Sequence, residues 1–184
     1  KEDILERINN NTITDILNKI EVKAGDVVMV KAGTIHAIGA GVFICEIQQN
    51  SNCTYRMYDY DRRDKFGNPR ELHVKKALDV VDNHKYIKDN KTEVVIARNE
   101  HFTEERLVQC KYFEVYKYDV NDEAKITVDE ASFVSVLFIN GSGTIETDDY
   151  EKTMEFKAGD SFFVSAGLRS IIIKGQATMV VTRV

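Results

Sequence analysis

The sequence has a single proline, Pro69, only three cysteines, and no long apolar run. Each shortage excludes something. Cys45, Cys53 and Cys110 show no C-x-x-C spacing, so neither a disulfide framework nor a cysteine-only metal site is expected, and a reducing cytoplasm fits the chain. Stretches such as Val27 to Val30 and Ile171 to Ile173 fall far short of the ~20 residues that a bilayer-spanning helix needs, so no membrane partner is expected. Charge of one sign is scarce too. The 25 basic residues against 30 acidic ones leave a net charge of −5, too mild to draw the protein to nucleic acid or to an anionic membrane. What is present is 43% hydrophobic residues in 184, enough for the core of one ordinary domain or two small ones.

The chain opens on Lys1 rather than a methionine, a hint that material upstream has been left out or removed. Ile4, Leu5 and Ile8, then Ile13, Ile16, Leu17 and Ile20, recur at steps of three and four residues. That spacing predicts two short amphipathic helices separated by Asn9 to Asn11. Thr12 is suited to start the second, because a threonine oxygen can accept from the free amides of a first turn. From Val22 to Tyr60 the texture changes to short runs of Val, Ile, Phe, Tyr and Thr bounded by glycines, the mark of β-structure. A helix with Val74, Ala77, Leu78 and Val81 on one face follows Pro69, and strands are expected again from Val94 to Val184.

Val22 to Ile38 (VKAGDVVMVKAGTIHAI) lies on Phe156 to Ile172 (FKAGDSFFVSAGLRSII) without a gap, and eight of the seventeen positions are identical. Each copy reads as a Lys-Ala-Gly-Asp turn, a four-residue strand, and an Ala-Gly turn into a further strand. Two copies of one unit on either side of a helical linker predict two related β-barrels or sandwiches. The expected boundaries are 1–70 for the first, which carries the N-terminal helices, 71–105 for the linker and 106–184 for the second. The copies are unequal. Upstream of Phe156, strands are expected at Ser132 to Ile139 and Thr144 to Thr147, joined through Asn140-Gly141-Ser142-Gly143; upstream of Val22 there are only helices. Because a sheet with bare edges invites aggregation, the first barrel needs strands that these residues do not contain. They are expected from a missing N-terminal segment or from a second chain.

Centring a hairpin on Ala40 puts His36, Ile38, Val42, Ile44, Glu46 and Gln48 on one face, since side chains alternate along strands. A lone histidine is more often structural than a ligand. A carboxylate on the same inward face, however, needs a cation or donor to offset its desolvation, which raises the standing of His36 and Glu46 together. Arg56 lies in Thr54-Tyr55-Arg56-Met57-Tyr58-Asp59-Tyr60-Asp61-Arg62, where aromatic and charged residues alternate. A guanidinium there suits a sugar oxyanion or a phosphate, and a surface strand of paired Asp and Arg suits the spacing equally well. His84 and His101 sit in polar surroundings and read as surface residues. Ser170 takes the repeat position of His36, so the second barrel is expected to be structural.

The run from Ala32 to Arg62 contains A-G-T-I-H-A-I-G-x-G, E-I-Q-Q-N-S and T-Y-R-M-Y-D-Y-D-R in order, and P-R-E-L-H-V-K-K-A-L follows it. It resembles the central signature of type I mannose-6-phosphate isomerases in their short bacterial form. The resemblance covers the whole chain as the C-terminal part of such an enzyme, and implies a mainly β, double-cupin fold whose first module is incomplete. It implies an aldose-ketose isomerase interconverting mannose 6-phosphate and fructose 6-phosphate, a phosphorylated hexose as substrate, and one zinc per active site. By that resemblance His36 corresponds to a zinc ligand and Arg56 to the catalytic arginine. Glu46 looks like an acidic catalytic residue of the pocket, and Gln48 and Tyr58 line it. In one respect the chain departs from the family: the remaining zinc ligands have no counterpart before His36, although catalytic zinc commonly takes three protein ligands and an open position. The resemblance therefore implies ligands outside this chain and a fragment inactive alone. A non-catalytic double-cupin sugar-binding protein is the alternative reading.

Overall fold

The computed structural model describes residues 1–82, 84, 94–148 and 150–184. They belong to two compact units, Lys1–Lys88 and Asp89–Val184. Positions 83 and 85–93 of the expected linker lie outside the described residues.

In the first unit, helix α1 (Glu2–Asn9) buries Ile8, and a 3-10 helix (Ile13–Ile16) buries Ile13. The second is shorter than its periodicity predicts, and the Thr12 side chain makes no capping hydrogen bond. Ile16 and Ile20 are exposed, and without burial of the apolar stripe there is little to extend a single turn. Helix α2 (Val74–Val80) buries Ala77, and Val81 beyond it is buried too. Its last carbonyls, Leu78 and Asp79, accept from the Lys1 ammonium, a cation at the negative end of the helix. Gly33 closes on the same end: its carbonyl accepts from the Asp82 amide at 2.9 Å. A Cβ on Gly33 would stand 2.8 Å from the Val80 carbonyl oxygen, and its φ of +84° suits glycine alone.

The runs between Val22 and Tyr60, expected as strands, form no ladder among the described residues; the single bridge in this unit joins Arg63 to Pro69. Val28, Val30, Ile38, Val42 and Ile44 are exposed, and Phe43 is 97% exposed. Strand preference describes how a side chain fits a pleated, half-buried surface, so it produces a strand only where a neighbouring backbone supplies that surface.

The second unit has those neighbours. Its strands are β1 (Val94–Arg98), β2 (Phe102–Gln109), β3 (Glu114–Val120), β4 (Glu123–Val128), β5 (Val134–Thr147), β6 (Tyr150–Lys157), β7 (Ser161–Val164) and β8 (Arg169–Arg183), paired antiparallel throughout. The long strands β5 and β8 pair along most of their length and change outer partners midway. One half gives the order β6-β5-β8-β4, the other β7-β5-β8-β3-β2-β1. The expected break at Asn140-Gly141-Ser142-Gly143 is therefore corrected to one continuous strand. Its glycines serve close approach rather than a turn: a Cβ on Gly141 or Gly143 would collide with the Gln176 or Lys174 carbonyl, and Gly143 pairs directly with Gly175. Strand β4 alternates exposed and buried residues, as one-faced packing demands. Behind it Phe138 and Phe156 stack at 3.7 Å, within a core of Val136, Ile145, Ile171, Ile173, Met179 and Val181. No described helix is long and apolar enough to cross a membrane.

Both repeat copies form the same first turn. In the first, the Lys23 amide donates to Asp26 Oδ2 at 3.2 Å and the Asp26 amide to the Lys23 carbonyl at 3.1 Å; in the second, Lys157 and Asp160 do the same at 2.9 and 3.1 Å. Gly25 and Gly159 share a φ of +91°.

Candidate active site

His36 follows the turn in which the Thr34 amide donates to the Lys31 carbonyl. Its ring is exposed, and its Nδ1 lies 2.9 Å from the Thr34 carbonyl oxygen. A carbonyl can only accept, so Nδ1 is the donor, which in the neutral ring leaves Nε2 as the acceptor nitrogen. Backbone orientation of the remote nitrogen is how metal-binding imidazoles are commonly held. His36 therefore fits as one metal ligand. Among the described residues no group of three or more His, Cys, Asp or Glu side chains is placed to hold a metal. Glu46 and Gln48 are exposed, and their side chains have no hydrogen-bond or ion-pair partner among the described residues.

Arg56 is built in more firmly. The His73 amide donates to the Arg56 carbonyl at 2.7 Å, and the Arg56 amide donates to His73 Nδ1 at 3.3 Å, which sets the segment 71–73 against Arg56. Nη1 of Arg56 donates to the Glu71 carbonyl at 3.1 Å, and Nε lies 3.9 Å from Asp59 Oδ1. Asp59 is only 9% exposed and is held by the Arg70 guanidinium through both oxygens, with Nε to Oδ2 at 2.7 Å. That bidentate pair, aided by Arg56 and Arg62, keeps the Asp59 carboxyl below the usual aspartate range. Arg70 reaches Asp59 because the intervening loop turns back: Asp64 Oδ1 accepts from the Phe66 and Asn68 amides, Gly67 has a φ of +85°, and Arg63 bridges to Pro69. Tyr58 is half-buried and meets Tyr60 edge-on at 4.9 Å, while the Arg62 guanidinium lies 5.5 Å above the Tyr60 ring.

The structure thus gathers Arg56, Asp59, Arg70 and His73 into one cluster, while Tyr58 pairs with Tyr60. Among the described residues, no hydrogen bond or ion pair joins His36 or Glu46 to it. Sequence reasoning gave Asp59, Arg70 and His73 no role in the site, although Asp59 lies in the T-Y-R-M-Y-D-Y-D-R motif and Arg70 and His73 in P-R-E-L-H-V-K-K-A-L.

The antiparallel sheet of the second unit, built on the two long strands β5 and β8, is a cupin domain, and residues 103–184 match the family model described as mannose-6-phosphate isomerase, cupin domain. Over 189 residues the chain is 40% identical to YvyI of Bacillus subtilis, covering all of this chain and 57% of that protein. It is 33% identical to mannose-6-phosphate isomerase ManA of the same species, over 99% of this chain and 56% of the relative. The crystal structure of the mannose 6-phosphate isomerase from Bacillus subtilis superposes with a TM-score of 0.87 at 37% identity, covering 100% of this chain and 57% of that one. The chain belongs to the mannose-6-phosphate isomerase family, and it spans little more than half the length of these relatives.

Proposed function

We propose that the protein carrying this chain is a cytoplasmic, zinc-dependent isomerase that interconverts mannose 6-phosphate and fructose 6-phosphate, and that this chain supplies the part of its active site that holds Arg56. The observation that carries the reading is identity to named isomerases along the whole chain, coupled with a guanidinium that donates from Nη1 to the Glu71 carbonyl and lies within ion-pair reach of Asp59 at Nε.

Moving a carbonyl between C1 and C2 requires a proton to leave the carbon beside the carbonyl, an enediol to be held, and the proton to return to the neighbouring carbon. Arg56 sets fixed positive charge beside the oxyanion as it develops; such a preorganised donor contributes about 3 kcal/mol. Glu46, whose carboxylate has no partner among the described residues, is the group suited to take and return the proton, and Gln48 and Tyr58 orient sugar hydroxyls. His36 would be one of the residues that hold the zinc, which when bound would supply Lewis acidity toward the sugar oxygens. Its other ligands, and the strands that pair with the Val22 to Tyr60 runs, come from polypeptide outside these 184 residues. The exposed Val28, Val30, Ile38, Val42, Phe43 and Ile44 and the partial coverage of the relatives support this division.

Turnover and zinc content measured together on the protein carrying this chain test the reading. Arg56→Ala is expected to lower turnover by about 10²-fold or more at unchanged zinc, and His36→Ala to lower the zinc. The 184-residue chain alone is expected to show little turnover. Parallel loss of zinc and turnover in Arg56→Ala would make Arg56 a structural residue, and zinc-dependent turnover by the chain alone would overturn the divided site.

A further inference from the structure

We propose that Asp59 is the positioning residue for Arg56: a buried carboxylate, locked by Arg70, that orients the Arg56 guanidinium so that its Nη2 edge is left for substrate. The inference rests on the isomerase reading for its meaning, while its geometry stands without it.

A guanidinium on a flexible stem explores several orientations unless its own N–H groups are held. Arg56 is held on two sides. Nη1 donates to the Glu71 carbonyl and Nε faces Asp59, whereas Nη2 has no hydrogen-bond partner among the described residues. The side chain of Arg56 is 25% exposed, so the free edge is reachable without the whole group being solvated. Asp59 in turn cannot swing away, because the Arg70 fork occupies both of its oxygens.

The backbone beside Asp59 is built to the same end. Tyr60 and Asp61 have φ values of +55° and +51°, and the Arg62 amide donates to the Asp59 carbonyl at 3.0 Å. Two successive left-handed residues make a tight turn usually given to glycine or asparagine, and a tyrosine there is strained. Contacts around the turn hold it against that strain: the Tyr58 and Tyr60 rings meet, Arg62 covers Tyr60, and Asp61 pairs with Arg63 at 2.8 Å. One carboxylate is thereby set among three guanidinium groups, those of Arg70, Arg56 and Arg62. The Arg70 hydrogen bonds hold the Asp59 carboxyl below the usual aspartate range, so it carries its charge at neutral pH as the arrangement needs.

Arginine side-chain NMR on the 184-residue chain reads the positioning directly, with Arg56→Lys used to assign the Arg56 Hε signal. Asp59→Asn is expected to speed Hε exchange with water by about tenfold, the loss of roughly one charge-assisted contact. Asp59→Glu is expected to restore much of the protection, and Arg70→Gln to weaken it without touching Asp59 itself. Unchanged exchange in both Asp59→Asn and Arg70→Gln would overturn the proposal. If Asp59→Asn fails to fold, Arg70→Gln with intact folding and unchanged exchange overturns it equally. On the protein carrying this chain, Asp59→Asn is expected to lower kcat by about 10²-fold with little change in KM, as misplacement of a transition-state group does, and Asp59→Glu to recover part of it. An equal rise in KM with unchanged kcat would contradict a positioning role. Absence of isomerase turnover in the unmutated protein would instead sink the functional reading, and the exchange measurement would still decide the role of Asp59.

Discussion

The two copies of the repeat share turns and differ in everything that needs a neighbour. Lys23 to Asp26 and Lys157 to Asp160 close with the same pair of hydrogen bonds and the same glycine φ. Beyond the turn, Ser161–Val164 pairs with β5, whereas Val27 to Val30 pairs with no strand among the described residues. At equivalent positions Ser170 is 2% exposed, with its hydroxyl donating to Asp148, and His36 stands in solvent. Local sequence is sufficient for a turn whose bonds lie within four residues. A strand needs a second backbone, and one copy has it.

Denaturant unfolding of paired variants sharpens this contrast. Phe138→Ala removes a fully buried ring stacked on Phe156 and is expected to cost about 3–5 kcal/mol in the second unit. Phe43→Ala removes the most exposed ring of the first unit and is expected to change stability by less than about 0.5 kcal/mol. A comparable loss in Phe43→Ala would break the comparison, because it would mean that the first copy is packed.

A smaller effect is expected at the repeat position itself. Ser170→Ala leaves the Asp148 carboxylate with Lys125 as its side-chain hydrogen-bond donor among the described residues and is expected to lower the unfolding midpoint by less than Phe138→Ala does, whereas His36→Ala should leave the midpoint of this chain almost unmoved. The Asp148 carboxyl is held below its ordinary range by Ser170 first and Lys125 second, so its contribution is present above the unfolded aspartate value near 3.8 and fades as pH falls through the lower folded one. Losing the difference between Ser170→Ala and wild type below that window, and keeping it above, is the accompanying result.

How far the sequence was legible follows the same division. The repeat, its turns and the placement of α1 and α2 depend on neighbours a few residues away, and all could be read from spacing. Asn140 to Gly143 was misread as a turn because glycine serves both turns and close backbone approach, and only the passage of β8 past Gly141 and Gly143 distinguishes them. Arg56 was visible through its motif. Asp59 and Arg70 were not, since eleven residues and a folded-back loop separate the partners of the pair that fixes Arg56. The face shared by His36 and Glu46 follows from alternation, but alternation says nothing of what covers that face.

Amide hydrogen exchange on the 184-residue chain bears most directly on the claim that one copy is complete and the other awaits strands from outside. The account expects Val27 to Val30 and Val42 to Gln48 to exchange close to the rate of an unstructured chain, and Ser161–Val164 with the paired stretches of β5 and β8 to be protected by several orders of magnitude, on the order of the global stability. Equal protection at Val27 to Val30 and Ser161–Val164 would contradict it.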